Sequence, residues 1–155
     1  MTNEIVQKKL TEKFGESLTD WQEPYGMLTF SAPKDFNLKV LQFLFDDEAL
    51  NFRFLTDLQA VHYPDRTGEE LAVVYHLHNF TDNVRIRFKV FLDIQKPDVF
   101  SATALYQSAN FMERETYDFF GVNFVGHPNL IRILNDPVNP FSWVINYNKI
   151  NGKNT

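Results

Sequence analysis

The chain has 155 residues, a formal net charge of −5, 44% hydrophobic and 23% charged residues, and no cysteine. A chain of this length hides roughly 70% of the surface its unfolded form exposes, enough for one self-supporting domain, and its composition is that of a folded protein. The acidic balance argues against nucleic acid or anionic lipid as the main partner, and the lack of cysteine excludes disulfides, thiolate nucleophiles and Cys-ligated zinc or iron-sulfur centres.

Any part in electron transfer is therefore indirect. The first ten residues contain no apolar signal region, and no stretch approaches the roughly 18 apolar residues of a membrane span, so the expected place is the cytosol unless a partner carries the chain to a membrane. Sixteen Phe, six Tyr and two Trp imply either aromatic surface set against another protein or a Phe-rich core.

Along the chain, Ile5, Val6, Lys9, Leu10 and Lys13 fall at helical spacings within Asn3 to Phe14, and Gly15 supplies a stop. Met27 to Ser31 alternates as a strand does. Pro33 then breaks it, Asp35 offers an N-cap, and Leu38, Leu41, Phe45 and Ala49 share a face of a helix predicted from Phe36 to Leu50. Phe52 to Val61 suits either strand or helix, and Tyr63 to Gly68 is a turn. Beyond it Leu71, Val73, Tyr75 and Leu77 alternate with their neighbours, as do Val84, Ile86, Phe88 and Val90.

These two runs predict an antiparallel hairpin. Opposed residues point to one face, so apolar must meet apolar: Leu77 with Ile86, Tyr75 with Phe88, Val73 with Val90, or a tighter loop paired through Leu77 and Val84. Either register gathers His76, His78, Arg85 and Arg87 on the opposite face. Pro97 is expected to end the following strand, with Ser101 to Ala109 as a connection. Asn110 followed by Glu113 has the form of a capping box, Glu113 and Glu115 suit the positive end of a helix, Gly121 suits its left-handed stop, and Arg114 with Asp118 can pair across one turn. Gly126, His127 and Pro128 then turn the chain.

His76 and His78 could supply two metal ligands, but nearby Arg and Lys repel a cation and no third ligand is evident. The stripe Arg85, Arg87 and Lys89 fits a partner-facing patch as well as a solvated strand face. Asn79-Phe80-Thr81 is a glycosylation sequon, read as incidental. Glu115, Asp118 and His127 could form an acid-base cluster. Without a nucleophile, metal set or phosphate-binding loop, capping and internal pairing is the favoured reading.

The run from Glu113 to Pro128 resembles the signature of the thirty-kilodalton subunit family, also known as the C subunits, of proton-pumping NADH-quinone oxidoreductase, respiratory complex I: Glu113-Arg114-Glu115, Asp118, Phe119-Phe120 and Gly126-His127-Pro128. Phe54 to Leu58, Val61 to Pro64, Val74 to Leu77 and Arg85 to Val90 are similar to the family's strands in the family's order, so the likeness covers roughly residues 28 to 134. It implies an α+β fold of two layers, helices on a mixed, mostly antiparallel sheet, over residues 1–134, with an irregular C-terminal tail at 135–155.

The resemblance further implies a scaffold in the hydrophilic arm on the cytoplasmic side of the bacterial inner membrane. It implies no cofactor on this chain, with NADH, flavin, iron-sulfur clusters and quinone held by partner subunits, chiefly the quinone-cavity subunit and neighbouring iron-sulfur subunits. Glu113, Arg114, Glu115, Asp118, Gly121, Gly126, His127, Pro128 and Arg132 carry over as structural and interface positions, none of them catalytic, cofactor-binding or metal-binding. Two departures stand out: Ile131 occupies a position that is usually basic, and the family's Pro-Leu-Arg-Lys type ending is replaced from Asn135 onward. An equivalent subunit of a related membrane-bound hydrogenase or dehydrogenase, and a free-standing acid-base enzyme, are the alternatives.

Overall fold

A computed structural model describes residues 1–134; the expected tail, 135–155, lies outside the described residues. In chain order the main elements are α1 (Asn3–Phe14), β1 (Thr19–Gln22), β2 (Leu28–Ala32), α2 (Asn37–Asp46), β3 (Phe54–His62), β4 (Leu71–Asn79), β5 (Val84–Leu92), β6 (Asp98–Phe100), α3 (Ala109–Phe120) and β7 (Asn123–Val125). β1 to β5 form one sheet in the order β1-β2-β5-β4-β3, and β6 and β7 form a small parallel pair. All neighbours in the main sheet are antiparallel except β2 and β5. Parallel strands need a long crossover, and the chain supplies it by running through α2, β3 and β4 before β5 slots in beside β2.

The α+β fold and the hairpin follow the expectation. Leu77 faces Ile86, Tyr75 faces Phe88 and Val73 faces Val90, and pairing continues to Asn79 with Val84. Of the two registers that keep the apolar set on the covered face, the one with the longer loop is formed. That face carries an aromatic row: Trp21 stacks on Phe30 at 4.8 Å, Phe30 on Phe88 at 5.5 Å, and Phe88 on Tyr75 at 4.6 Å. Much of the aromatic content is thus core, where each large ring adds roughly 2–3 kcal/mol by leaving water. Val6 and Leu10 of α1 and Val40, Leu41 and Leu44 of α2 close over it as a second layer.

Several local expectations are corrected. α2 is shorter than Phe36 to Leu50, and its buried face is Asn37, Val40, Leu41 and Leu44. Leu38 and Phe45 are only half-buried and Ala49 is exposed. Asp35 makes no cap; it lies in a single 3-10 turn before the helix, with no side-chain cap bond. A carboxylate stands at the other end, where Asp47 accepts from the backbone N–H of Ala49 and Leu50 in the turn that follows the helix. It also takes Lys9 Nζ at 2.7 Å, tying α1 to the end of α2. Burial alone would raise the Asp47 carboxyl, but Lys9 and the two amides hold it below its ordinary value.

The strand after the hairpin loop ends at Leu92, ahead of Pro97. Pro97 instead introduces β6, its carbonyl accepting from Asn123 N–H as β7 comes alongside. The segment Phe52 to Val61 resolves mainly into β3, which pairs with β4 except for a bulge between Leu55 and Asp57.

Candidate functional site

α3 and the chain that returns along it, residues 121 to 134, bring most of the signature residues together. The helix begins two residues earlier than the capping-box reading allows, at Ala109 instead of Phe111. Ser108 stands at the N-cap without a side-chain cap bond, Asn110 is inside the helix, and the first turn holds no acid. Glu113 and Glu115 therefore lie past the turn where the dipole acts. Gly121 adopts the left-handed conformation, φ 72°, and its N–H donates to the Tyr117 carbonyl, closing the helix as expected.

Glu113 is fully buried. Its Oε1 accepts the Ala102 N–H at 2.6 Å and its Oε2 accepts the Ser101 hydroxyl at 2.6 Å. Burial pushes its carboxyl up to about 7, against the downward pull of Ser101 and Ala102. Beside it lies Tyr75, whose phenol is held protonated well above the usual range by burial and then by the Glu113 charge. Asn37 Nδ2 donates to Tyr75 Oη at 3.2 Å and to the Phe100 carbonyl at 2.7 Å. Two sets of buried polar contacts thus lie near each other: Asn37 joins α2 to β4 and β6, and Glu113 joins α3 to the chain after β6.

Arg114 and Asp118, spaced to pair across one helical turn, both reach the returning chain. Arg114 Nε donates to the Ile131 carbonyl at 3.1 Å and its Nη2 to the Arg132 carbonyl at 3.4 Å. The fully buried Asp118 accepts from the N–H of Ile133 and Leu134 and lies 3.9 Å from Arg132 Nε. His127 bridges the start of the loop: its Nε2 donates to the Asn110 carbonyl at 3.0 Å and its Nδ1 accepts the Asn129 N–H at 2.9 Å. A carbonyl can only accept and an amide can only donate, which fixes the neutral Nε2–H tautomer. Gly126, at φ 87°, makes the turn that aims His127 back.

Glu115 and Pro128 are exposed. Glu115, Asp118 and His127 thus have separate surroundings: one faces solvent, one binds backbone amides and Arg132, and one has both ring nitrogens engaged. Apolar side chains rim the same surface, with Phe111 62%, Ile131 53% and Leu134 61% exposed. The guanidinium of Arg114 lies over the Phe111 ring at 5.6 Å.

The outer face of the sheet carries the predicted polar set. Arg87 Nε donates to His76 Nε2 at 2.7 Å, and His76 Nδ1 faces Asp57 Oδ2 at 3.5 Å. Burial and then Arg87 lower the His76 pKa, with Asp57 opposing. His78 meets Asn83 at 3.1 Å, so the two imidazoles have different partners. Among the described residues no group of three or more His, Cys, Asp or Glu could hold a metal ion. Asn79 of the sequon is 1% exposed and donates to the Leu50 carbonyl, which leaves no room for a glycan. Sequence reasoning misses Asn37, Ser101 and Thr103. Only the polar Asn37 at a buried helical position offers a signal.

A family model described as "Respiratory-chain NADH dehydrogenase, 30 Kd subunit" matches residues 30–143. Among curated proteins, the chain is 47% identical over 109 residues to the NADH-quinone oxidoreductase C subunit of a Nocardioides species, covering 70% of this chain and 44% of that one. It is 44% identical over 126 residues to the C subunit of Citrifermentans bemidjiense, covering 81% and 76%. The chain thus spans less than half the length of the Nocardioides relative and about three quarters of the other. Among solved structures, it matches the trypsin-resistant fragment (1–134) of Nqo5 with TM-score 0.68 and 30% identity, over 81% of this chain and 98% of that fragment. It also matches a chain of the membrane-bound sulfane sulfur reductase, an archaeal respiratory membrane complex, with TM-score 0.73 and 25% identity, over 95% and 89%.

Proposed function

Because the chain belongs to the respiratory-chain NADH dehydrogenase 30 Kd subunit family, we propose that it is the non-catalytic C subunit of a proton-pumping NADH-quinone oxidoreductase, supporting electron transfer from NADH to quinone. In this reading NADH, flavin, iron-sulfur clusters and quinone belong to partner subunits. The chain supplies shape and contact area in the hydrophilic arm, next to the quinone-cavity subunit and the neighbouring iron-sulfur subunits. Its place is peripheral, on the cytoplasmic side of the bacterial inner membrane. Among the described residues no helix is long and apolar enough to cross a membrane. Residues 1–134 act as the α+β domain and 135–155 as a tail that departs from the family's ending.

The observation that supports a scaffolding role is the use made of the signature residues. Glu113, Arg114, Asp118 and His127 each bond at least one backbone group of residues 102 to 134, and Gly121, Gly126 and Arg132 shape the same loop. Their joint effect is to fix a surface bearing Phe111, Ile131 and Leu134, the kind of apolar patch that marks protein contact. The likeness to the sulfane sulfur reductase chain favours one second reading, an equivalent subunit in a related membrane-bound complex with a different electron donor. Affinity purification of the tagged full chain at native expression tests both. Recovery of NADH dehydrogenase subunits is expected; recovery of a different redox complex would select the second reading, and recovery of neither would defeat the proposal.

A further inference from the structure

Glu113 is fully buried. Among the described residues, no Lys, Arg or His lies within ion-pair distance of it. The groups that face it are Tyr75 from β4, itself bonded to Asn37 of α2, and Ser101 and Ala102 from the chain after β6. All are uncharged. A lone ionised carboxylate in such surroundings is costly, and an acid that cannot donate its proton is costly as well.

The hydroxyl chain next to it relieves both states. Ser101 Oγ lies 2.6 Å from Glu113 Oε2 and 2.8 Å from Thr103 Oγ1. Ser101 is buried, whereas Thr103 is partly exposed. With Glu113 ionised, Thr103 donates to Ser101 and Ser101 donates to the carboxylate. When solvent delivers a proton to Thr103 Oγ1, the hydrogen that Thr103 held passes to Ser101, and the one Ser101 held passes to Oε2. One Oε2–H bond forms, each hydroxyl keeps one hydrogen, and both hydrogen bonds now run outward.

We propose that Glu113 is a buried proton-binding site that exchanges with solvent through the hydroxyls of Ser101 and Thr103, both charge states being hydrogen-bonded because those two hydroxyls reverse direction together.

Infrared difference spectroscopy of the purified full-length chain, titrated through neutral pH, follows the carboxyl C=O stretch, with the Glu113 band identified by its loss in Glu113→Gln. Thr103→Val touches neither Glu113 oxygen and leaves the backbone N–H at 103 to serve Ser101 Oγ. It removes the hydroxyl donor to Ser101 Oγ in the ionised form, for which that N–H stands in, and the acceptor that the protonated form needs, for which nothing stands in, so the midpoint is expected to move to lower pH, and Thr103→Ser is expected to restore it. A midpoint unmoved by Thr103→Val, or a Glu113 carboxyl that does not titrate while the chain is folded, would overturn the proposal. If Glu113→Gln does not fold, selective isotope labelling of glutamate in the wild type and the two Thr103 variants identifies the shifting band and decides the same question.

Discussion

Arg114 Nε donates to the Ile131 carbonyl at 3.1 Å across 17 residues of chain, so a helix side chain holds the loop that returns beside it. Its Nη2 also reaches the Arg132 carbonyl, and a lysine cannot reproduce two divergent donors from one planar head. Arg114→Ala is expected to cost about 1–2 kcal/mol of stability, as the loss of partly exposed bonds from a charged donor should. If the loop is a docking surface, the same change lowers the amount of assembled complex more than the turnover of each assembled complex. Normal assembly with lost turnover would place Arg114 in chemistry and contradict the scaffold.

Asp118 secures the end of the same loop from inside. Asp118→Ala leaves the N–H of Ile133 and Leu134 without their acceptor and Arg132 without its nearby carboxylate. Breaking one side of a buried charged contact costs about 3–5 kcal/mol. The double change Asp118→Ala with Arg132→Met is expected to be milder than the sum of the two single changes, since the isolated cation disappears. Urea unfolding of the four proteins measures the coupling, and strict additivity would show that the two groups do not sense each other.

These contacts mark where the sequence stops being legible. The hairpin is readable almost to the residue because Leu77 and Ile86 sit close in the chain and period-2 alternation leaves only two registers. The apolar letters of α2 give a face that is out of phase, because Asn37, a polar residue, takes a buried position opposite Tyr75 and such a pattern cannot include it. Asp35 and Asn110 have the chemistry of caps but stand at the wrong step of their turns, while Asp47 binds the N–H of Ala49 and Leu50 and pairs with Lys9 of a different helix. β6 and β7 are three-residue strands far apart in the chain, too short for any periodicity. The signature around Glu113 is visible as a cluster, yet its partners Ser101 and Ala102 lie in a segment with no pattern of its own.

Gly121 offers a test of the backbone alone. Its φ of 72° is the left-handed conformation, and its N–H closes the last turn of α3 onto Tyr117. Gly121→Ala is expected to cost about 1–2 kcal/mol, with Gly121→Asn less harmful because Asn tolerates that region better. Thermal denaturation ranks the three proteins, and an alanine variant as stable as the wild type would contradict the helix end described above.

Lys9 and Asp47 predict a dependence on acid. The folded carboxyl sits below its ordinary 3.8, so its stabilising effect is present above that value and is lost as the pH falls through the lower folded value. Lys9→Met is therefore expected to cost about 1 kcal/mol at neutral pH, with the difference from wild type vanishing in strong acid. A cost that persists unchanged there would assign the effect to the lost methylene packing of Lys9 instead of its charge.

Glu113 predicts the opposite slope. Its folded carboxyl titrates at about 7 against an ordinary 4.5, so between those values the folded protein holds a proton that the unfolded chain has released. Stability is fully present below the lower value, falls as the pH rises through the upper one, and then levels off, by roughly 3 kcal/mol at most. Glu113→Gln cannot ionise, and every other titrating group is shared with the wild type. The difference between the two stability curves isolates this carboxyl, and it should move in favour of the glutamine variant as the pH climbs from acid to neutral. A difference that stays constant over that window would mean that the buried carboxyl keeps one charge state throughout, and that the uncharged shell of Tyr75, Ser101 and Ala102 does not hold its proton.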